Sequence, residues 1–141
     1  MVAGRLKYFR SRFTKGYKYL VHDGDHVRLA TENDVLGFRD GPVLHIHLEK
    51  QSEEFWASHD EDAEFLPQQI QALAGITYRQ LNTWIERGLL EPVADAGKTR
   101  KFSGYDAFVA RLLGKFRSQG ATMEVVERFG AFLCRNPELK R

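Results

Sequence analysis

Cysteine is nearly missing from this sequence: Cys134 is the only one in 141 residues. A single thiol forms no internal disulfide and no multi-cysteine zinc site, so packing must hold the fold, and a reducing compartment suits it. Long apolar runs are missing too. No stretch approaches the roughly 20 apolar residues of a membrane span, and the opening Met1-Val2-Ala3-Gly4-Arg5-Leu6-Lys7 lacks the apolar core of a signal peptide. The expected location is therefore the cytoplasm, with no membrane partner. No nucleophile motif accompanies the one cysteine, and the five histidines are scattered, so no active site is supported and an enzyme is not expected. No cofactor motif is present, and there is no repeat or low-complexity tract.

Acidic residues are absent from positions 1–22, which carry Arg5, Lys7, Arg10, Arg12, Lys15 and Lys18. Residues 23–63 then carry eleven acids against Arg28, Arg39 and Lys50, and residues 64–141 return to twelve bases against eight acids. The net charge of +2 thus conceals a basic, acidic, basic order. Basic ends suit phosphates, and the acidic middle must face away from them.

The first half reads as β-rich. Val2, Leu6, Phe9 and Phe13 fall at helical spacing, but the aromatic content of residues 8–19 favours a strand towards the end of the stretch. Tyr17–His22 and His26–Ala30 flank Asp23-Gly24-Asp25 as a hairpin would. A second hairpin is expected from Val35–Arg39 and Val43–Leu48 around Asp40-Gly41-Pro42. In it Leu44, Ile46 and Leu48 alternate with His45 and His47. The expectation is an α+β protein in which a small antiparallel β module, a meander or barrel over residues 1–50, precedes a winged helix-turn-helix at 65–135. Residues 51–64 form an acidic connector with a helical turn near Phe55 and Trp56, the indole pinning it to one domain. Residues 136–141 are a tail.

From Phe65 the period becomes helical. Pro67 suits a first helical turn, Gly75 a tight turn, Thr77 an N-cap and Gly88 a helix end. Leu81, Trp84 and Ile85 form the apolar side of the second helix; Tyr78, Arg79, Asn82, Thr83 and Glu86 form the other. Two extended runs, Leu89–Val93 and Thr99–Phe102, enclose a polar loop like a wing. Ser103 to Asp106 reads as a capping box opening a helix whose buried stripe is Phe108, Leu112, Leu113 and Phe116. Gly120 ends that helix. Thr122 opens a last one, with Met123, Val126, Phe129, Ala131, Phe132 and Leu133, before Asn136-Pro137.

In order and spacing, Gly75, Ile76, Thr77, Arg79, Leu81, Trp84, Gly88, Leu89 and Leu90, then Arg100, Phe102, Ser103 and Asp106, then Gly120-Ala121-Thr122, resemble the winged-helix DNA-binding domain of the MerR family. Asn82 and Thr83 depart from it, standing where that family often has Arg and Tyr. Residues 134–141 are also too few for the coiled coil by which full-length MerR regulators dimerise. The segment is similar instead to the minimal, excisionase-like relatives.

The resemblance implies a sequence-specific double-stranded DNA-binding protein, a transcriptional regulator, with its recognition helix in the major groove. The residue types agree. Thr77, Tyr78, Arg79, Asn82 and Thr83 lie near the start of the helix that would meet bases, Arg79 suiting guanine or phosphate and Asn82 suiting adenine. Lys98, Arg100 and Lys101 on the wing suit phosphates or the minor groove. A homodimer, or a protein partner through the N-terminal module, is expected because one short helix and one wing give little specific affinity alone. The alternative is a phage or mobile-element assembly, packaging or recombination accessory protein that uses the winged helix architecturally. A third reading has Tyr8, Phe9, Tyr17 and Tyr19 stacking on bases beside Arg10, Arg12 and Lys18. Arg87, Arg111, Lys115 and Arg117 read as solvated helix faces and Trp84 as core. His22, His26, His45 and His47 lack a third ligand at fixed spacing and read as exposed strand residues; no metal is expected.

Overall fold

The computed structural model describes residues 12–23, 26–37, 44–60, 62–93 and 100–136. The first hairpin forms: β1 (Tyr19–Asp23) pairs antiparallel with β2 (His26–Ala30), from Tyr19 opposite Ala30 to Asp23 opposite His26, so Asp23 belongs to the strand rather than to the expected turn. The second does not. Where a strand was expected from Val35, the chain makes a short helix, α1 (Glu32–Leu36). The cause is a capping box: Thr31 Oγ1 accepts from Asp34 N at 3.1 Å and Asp34 Oδ2 accepts from Thr31 N at 3.0 Å. The Thr31 N–H on the carboxylate, and after it the Thr31 side chain, hold the Asp34 carboxyl below its usual pKa. The local Thr-x-x-Asp pattern thus outweighs the strand preference of Val35. The expected turn at 40–42 lies outside the described residues.

The strand β3 (Leu44–His47) returns beside β1 rather than β2, giving the order β2-β1-β3. The α+β class holds, but the described strands make an open three-stranded sheet, which corrects the expected meander or barrel. As an edge strand, β3 exposes backbone groups that must be satisfied or shielded. Gln119 does both: its Oε1 accepts from His45 N at 3.2 Å and its Nε2 donates to His45 O at 2.6 Å, imitating one more strand residue. Gln119→Ala should cost about 1 kcal/mol or less, the usual net value of hydrogen bonds, since Gln119 is exposed. Amide exchange should show faster loss of protection at His45 than elsewhere in the sheet. Unchanged protection there would refute the clamp.

The acidic stretch is more ordered than its composition suggests. The helix α2 (Leu48–Ser58) runs 11 residues, opened by His47, whose Nδ1 accepts from Lys50 N at 3.1 Å. Glu53 and Glu54 are exposed, while Phe55 is buried against Phe108 and Phe65, with ring centroids 5.4 and 6.3 Å away. Trp56 packs on Tyr105 at 5.3 Å. The aromatic pair anchors this helix to the C-terminal half, so the single expected turn becomes a full helix.

Among the described residues, four helices and a second small sheet follow. Strand β4 (Glu64–Phe65) pairs antiparallel with β5 (Phe102–Ser103). Next come α3 (Pro67–Ala74), α4 (Tyr78–Glu86), α5 (Gly104–Ser118) and α6 (Met123–Arg135). Pro67 opens α3 where its missing N–H is no loss. Along α5 the buried set is wider than a stripe, adding Ala107, Val109 and Ala110 to Phe108, Leu112, Leu113 and Phe116. A helix apolar on most sides is a central one, and α5 touches α2, α3, β3, β4, β5 and α6. Phe116 stacks on Phe129 of α6 with ring centroids 3.4 Å apart. Buried residues from Phe13 to Leu133 form one connected apolar cluster. No described helix is long and apolar enough to cross a membrane.

Candidate nucleic-acid interface

The turn between α3 and α4 is set by backbone chemistry. Gly75 has a φ of 66°, the left-handed conformation that glycine adopts without steric cost, and its N–H donates to Gln71 O at 2.7 Å to end α3. Arg117 of α5 donates from Nη1 to Gly75 O at 2.7 Å. The expectation that Arg117 merely lines a solvated helix face is therefore corrected: it latches the turn that aims α4. Arg87 is likewise engaged, in an ion pair with Glu127 of α6.

Thr77 starts α4 as its N-cap. Its Oγ1 accepts from Gln80 N at 3.1 Å, and Gln80 Oε1 accepts from Thr77 N at 2.9 Å. Two orphan donors are thereby satisfied without protein from elsewhere. Leu81 and Trp84 are fully buried beneath the helix. This fixes its rotation, so Tyr78 and Arg79 point away from the core, with Tyr78 at 52% exposure. Asn82 and Thr83 are half-buried on the flank. The Thr83 hydroxyl donates back to Arg79 O at 3.2 Å, leaving its oxygen lone pairs as the group it can offer.

The wing meets this helix through Arg100. Its Nη2 donates to Tyr78 Oη at 2.6 Å and to Asn82 Oδ1 at 2.7 Å, and the guanidinium carbon lies 5.5 Å from the Tyr78 ring centroid. One nitrogen, with one hydrogen for each acceptor, joins the wing to two recognition-helix residues. Lys101 takes the other direction: its Nζ is 3.6 Å from Glu64 Oε1. Adjacent residues on an extended strand face opposite ways, so Arg100 and Lys101 do not share a surface. The wing's arms touch at Val93 and Lys101, where Val93 N donates to Lys101 O at 2.7 Å. Its second arm pairs more fully with β4, whose two residues straddle the expected boundary between connector and winged domain at 64 and 65. Lys98 lies at 94–99, outside the described residues.

Asp106 differs from its expected role. Ser103 Oγ accepts from Asp106 N at 3.2 Å, as an N-cap should, but the Asp106 carboxylate accepts from Glu91 N at 3.0 Å instead of closing the box. It ties the first wing arm to the start of α5 while only 5% exposed. Gln80, Arg117 and Gln119 were missed as contributors. The Thr77-x-x-Gln80 spacing could have signalled the first, whereas the other two act across tertiary contacts.

His22, His45, His47 and Tyr19 have packing contacts, while His26 is exposed. Tyr19 packs, with tilted rings, against His47 and His45, at 4.7 and 6.0 Å between centroids, and His22 lies 5.8 Å from Phe129. Tyr17 is exposed; Tyr8, Phe9 and Arg10 lie outside the described residues.

Residues 67–130 match the family model described as MerR HTH family regulatory protein. The match opens at the first residue of α3 and closes within α6, spanning helix-turn-helix, wing and the two helices behind them. No curated protein and no solved structure matches the chain.

Proposed function

We propose that the MerR-like helix-turn-helix DNA-binding domain at residues 67–130 makes this chain a sequence-specific double-stranded DNA-binding protein that regulates transcription. In this reading α4 enters the major groove and the wing follows the backbone. The observation that carries it is Arg100, whose bonds to Tyr78 and Asn82 join wing and helix into one polar surface. Arg79 stands beside that surface, exposed and with no ion pair among the described residues. Such a surface combines what duplex recognition needs: cations for phosphates and short polar groups within reach of base edges.

Thr77, Tyr78, Arg79, Asn82, Thr83 and Arg100 form the contact set, with Lys98 extending it along the backbone; Lys101, paired with Glu64 on the other side of the strand, stands outside it. A second copy, or a protein partner held by the N-terminal half, supplies the additional contacts that specific affinity requires. The test is selection from a random duplex pool with the full chain. A single enriched motif, bound on the order of a thousandfold more tightly than scrambled duplex, is expected. Retention of all duplexes alike would overturn the sequence-specific reading.

A further inference from the structure

We infer that Arg100 is a positioning residue which turns Asn82 and Tyr78 into hydrogen-bond donors, so that the base Asn82 meets is guanine rather than adenine. The inference rests on the duplex-binding function proposed above and concerns only how that surface discriminates. A guanidinium carries donors and no acceptor. Whichever way an amide is drawn, the Asn82 atom 2.7 Å from Arg100 Nη2 must therefore be its oxygen. With one Oδ1 lone pair filled by a cation, the group Asn82 offers most freely is its Nδ2, which has no protein partner among the described residues. Tyr78 is in the same position: its oxygen accepts from Arg100 at 2.6 Å, leaving its O–H to donate.

An asparagine that reads adenine needs both ends of its amide, Oδ1 accepting from N6 and Nδ2 donating to N7. Here one lone pair of Oδ1 is filled by a cationic donor, and the guanidinium beside it repels the N6 amino group that would seek the other. A donor placed against adenine would meet the N7 acceptor but also the N6 amino group, another donor. Guanine presents two acceptors side by side, N7 and O6. Asn82 Nδ2, backed by Tyr78 O–H, fits that edge and is repelled by half of the other. Arg100 meanwhile keeps Nη1 and Nε for a phosphate, since only Nη2 is spent on the helix.

The experiment uses the full chain and the duplex recovered by selection, in equilibrium competition. Each guanine is replaced in turn by adenine or by 7-deazaguanine, which lacks the N7 acceptor. At one position wild-type binding should weaken about tenfold with either replacement, the scale of a good base contact. At that position Asn82→Ala should show less than about a twofold difference between guanine and adenine, and Arg100→Met should bring the ratio towards one with an unchanged melting temperature. A merely structural role for Arg100 would not alter a preference at one base. An Asn82-dependent preference for adenine would overturn the inference, as would a duplex in which no position depends on Asn82. So would uniform weakening by Arg100→Met with the guanine preference intact. Failure of the wild-type chain to retain any duplex would overturn the proposed function itself, and this inference with it.

Discussion

Replacing Gly114 by alanine should destabilise the chain by about 2–3 kcal/mol and lower its melting temperature by roughly 8 °C. Helix propensity alone argues the opposite: glycine inside a helix is about 1 kcal/mol worse than alanine, so an open site would gain stability. Gly114 is not an open site. A Cβ there would lie 2.3 Å from Leu73 O, 3.1 Å from Ala74 Cα and 3.3 Å from Leu73 C. All three are backbone atoms of α3, so no side-chain rotation relieves the clash. The helix itself must move, and overpacking of this kind typically costs 1–3 kcal/mol. A thermal melt decides between the two effects, and an unchanged or raised midpoint would show that α3 can slide without loss. The consequence reaches the interface, because α3 ends at Gly75 and the Arg117 bond fixes Gly75 to α5. Moving α3 strains that latch and re-aims α4, so duplex affinity should fall alongside stability.

The parts of this fold legible in the sequence are those governed by neighbours three or four residues away. Gly75, Thr77, Ser103, Gly120 and Thr122 bound the helices where their local chemistry places them, and Leu81 and Trp84 mark the buried side of α4. Where two local rules competed, the weaker was followed: Val35 suggested a strand, yet Thr31 and Asp34 close a capping box around the helix that forms. The strand β4 is only two residues long and carries no period to read. It exists because Phe102 and Ser103 supply its partner. The interface was legible as a set of residues and not as an arrangement. Arg100 stands 22 positions from Tyr78 and 18 from Asn82, and no spacing rule joins them. One part of the arrangement was within reach: alternation along a strand separates Arg100 from Lys101, so grouping them as equals overlooked a rule the sequence itself supplies.

That separation gives the functional prediction of greatest size. Changing Arg79 and Arg100 together to alanine should weaken binding of the selected duplex about 100-fold, taking each contact at about tenfold, and should flatten the dependence of log affinity on log salt by roughly two. The two side chains reach the surface by different routes, Arg79 from the exposed face of α4 and Arg100 from the wing. Neither makes an ion pair of 4 Å or less with an acid among the described residues. Arg87 and Lys101 have the same charge but pair with Glu127 and Glu64, so Arg87→Ala and Lys101→Ala should change affinity less than about threefold. Total charge thus separates from placed charge: a non-specific cationic effect would make the four arginine and lysine changes equivalent. Melting curves should differ little among these variants, because the side chains removed are at least partly exposed and surface pairs contribute about 1 kcal/mol or less. A titration over a salt series measures both affinity and slope. Wild-type affinity in the double variant would remove this surface as the site of duplex binding, and equal losses from Lys101→Ala would move the contact to the opposite face of the wing.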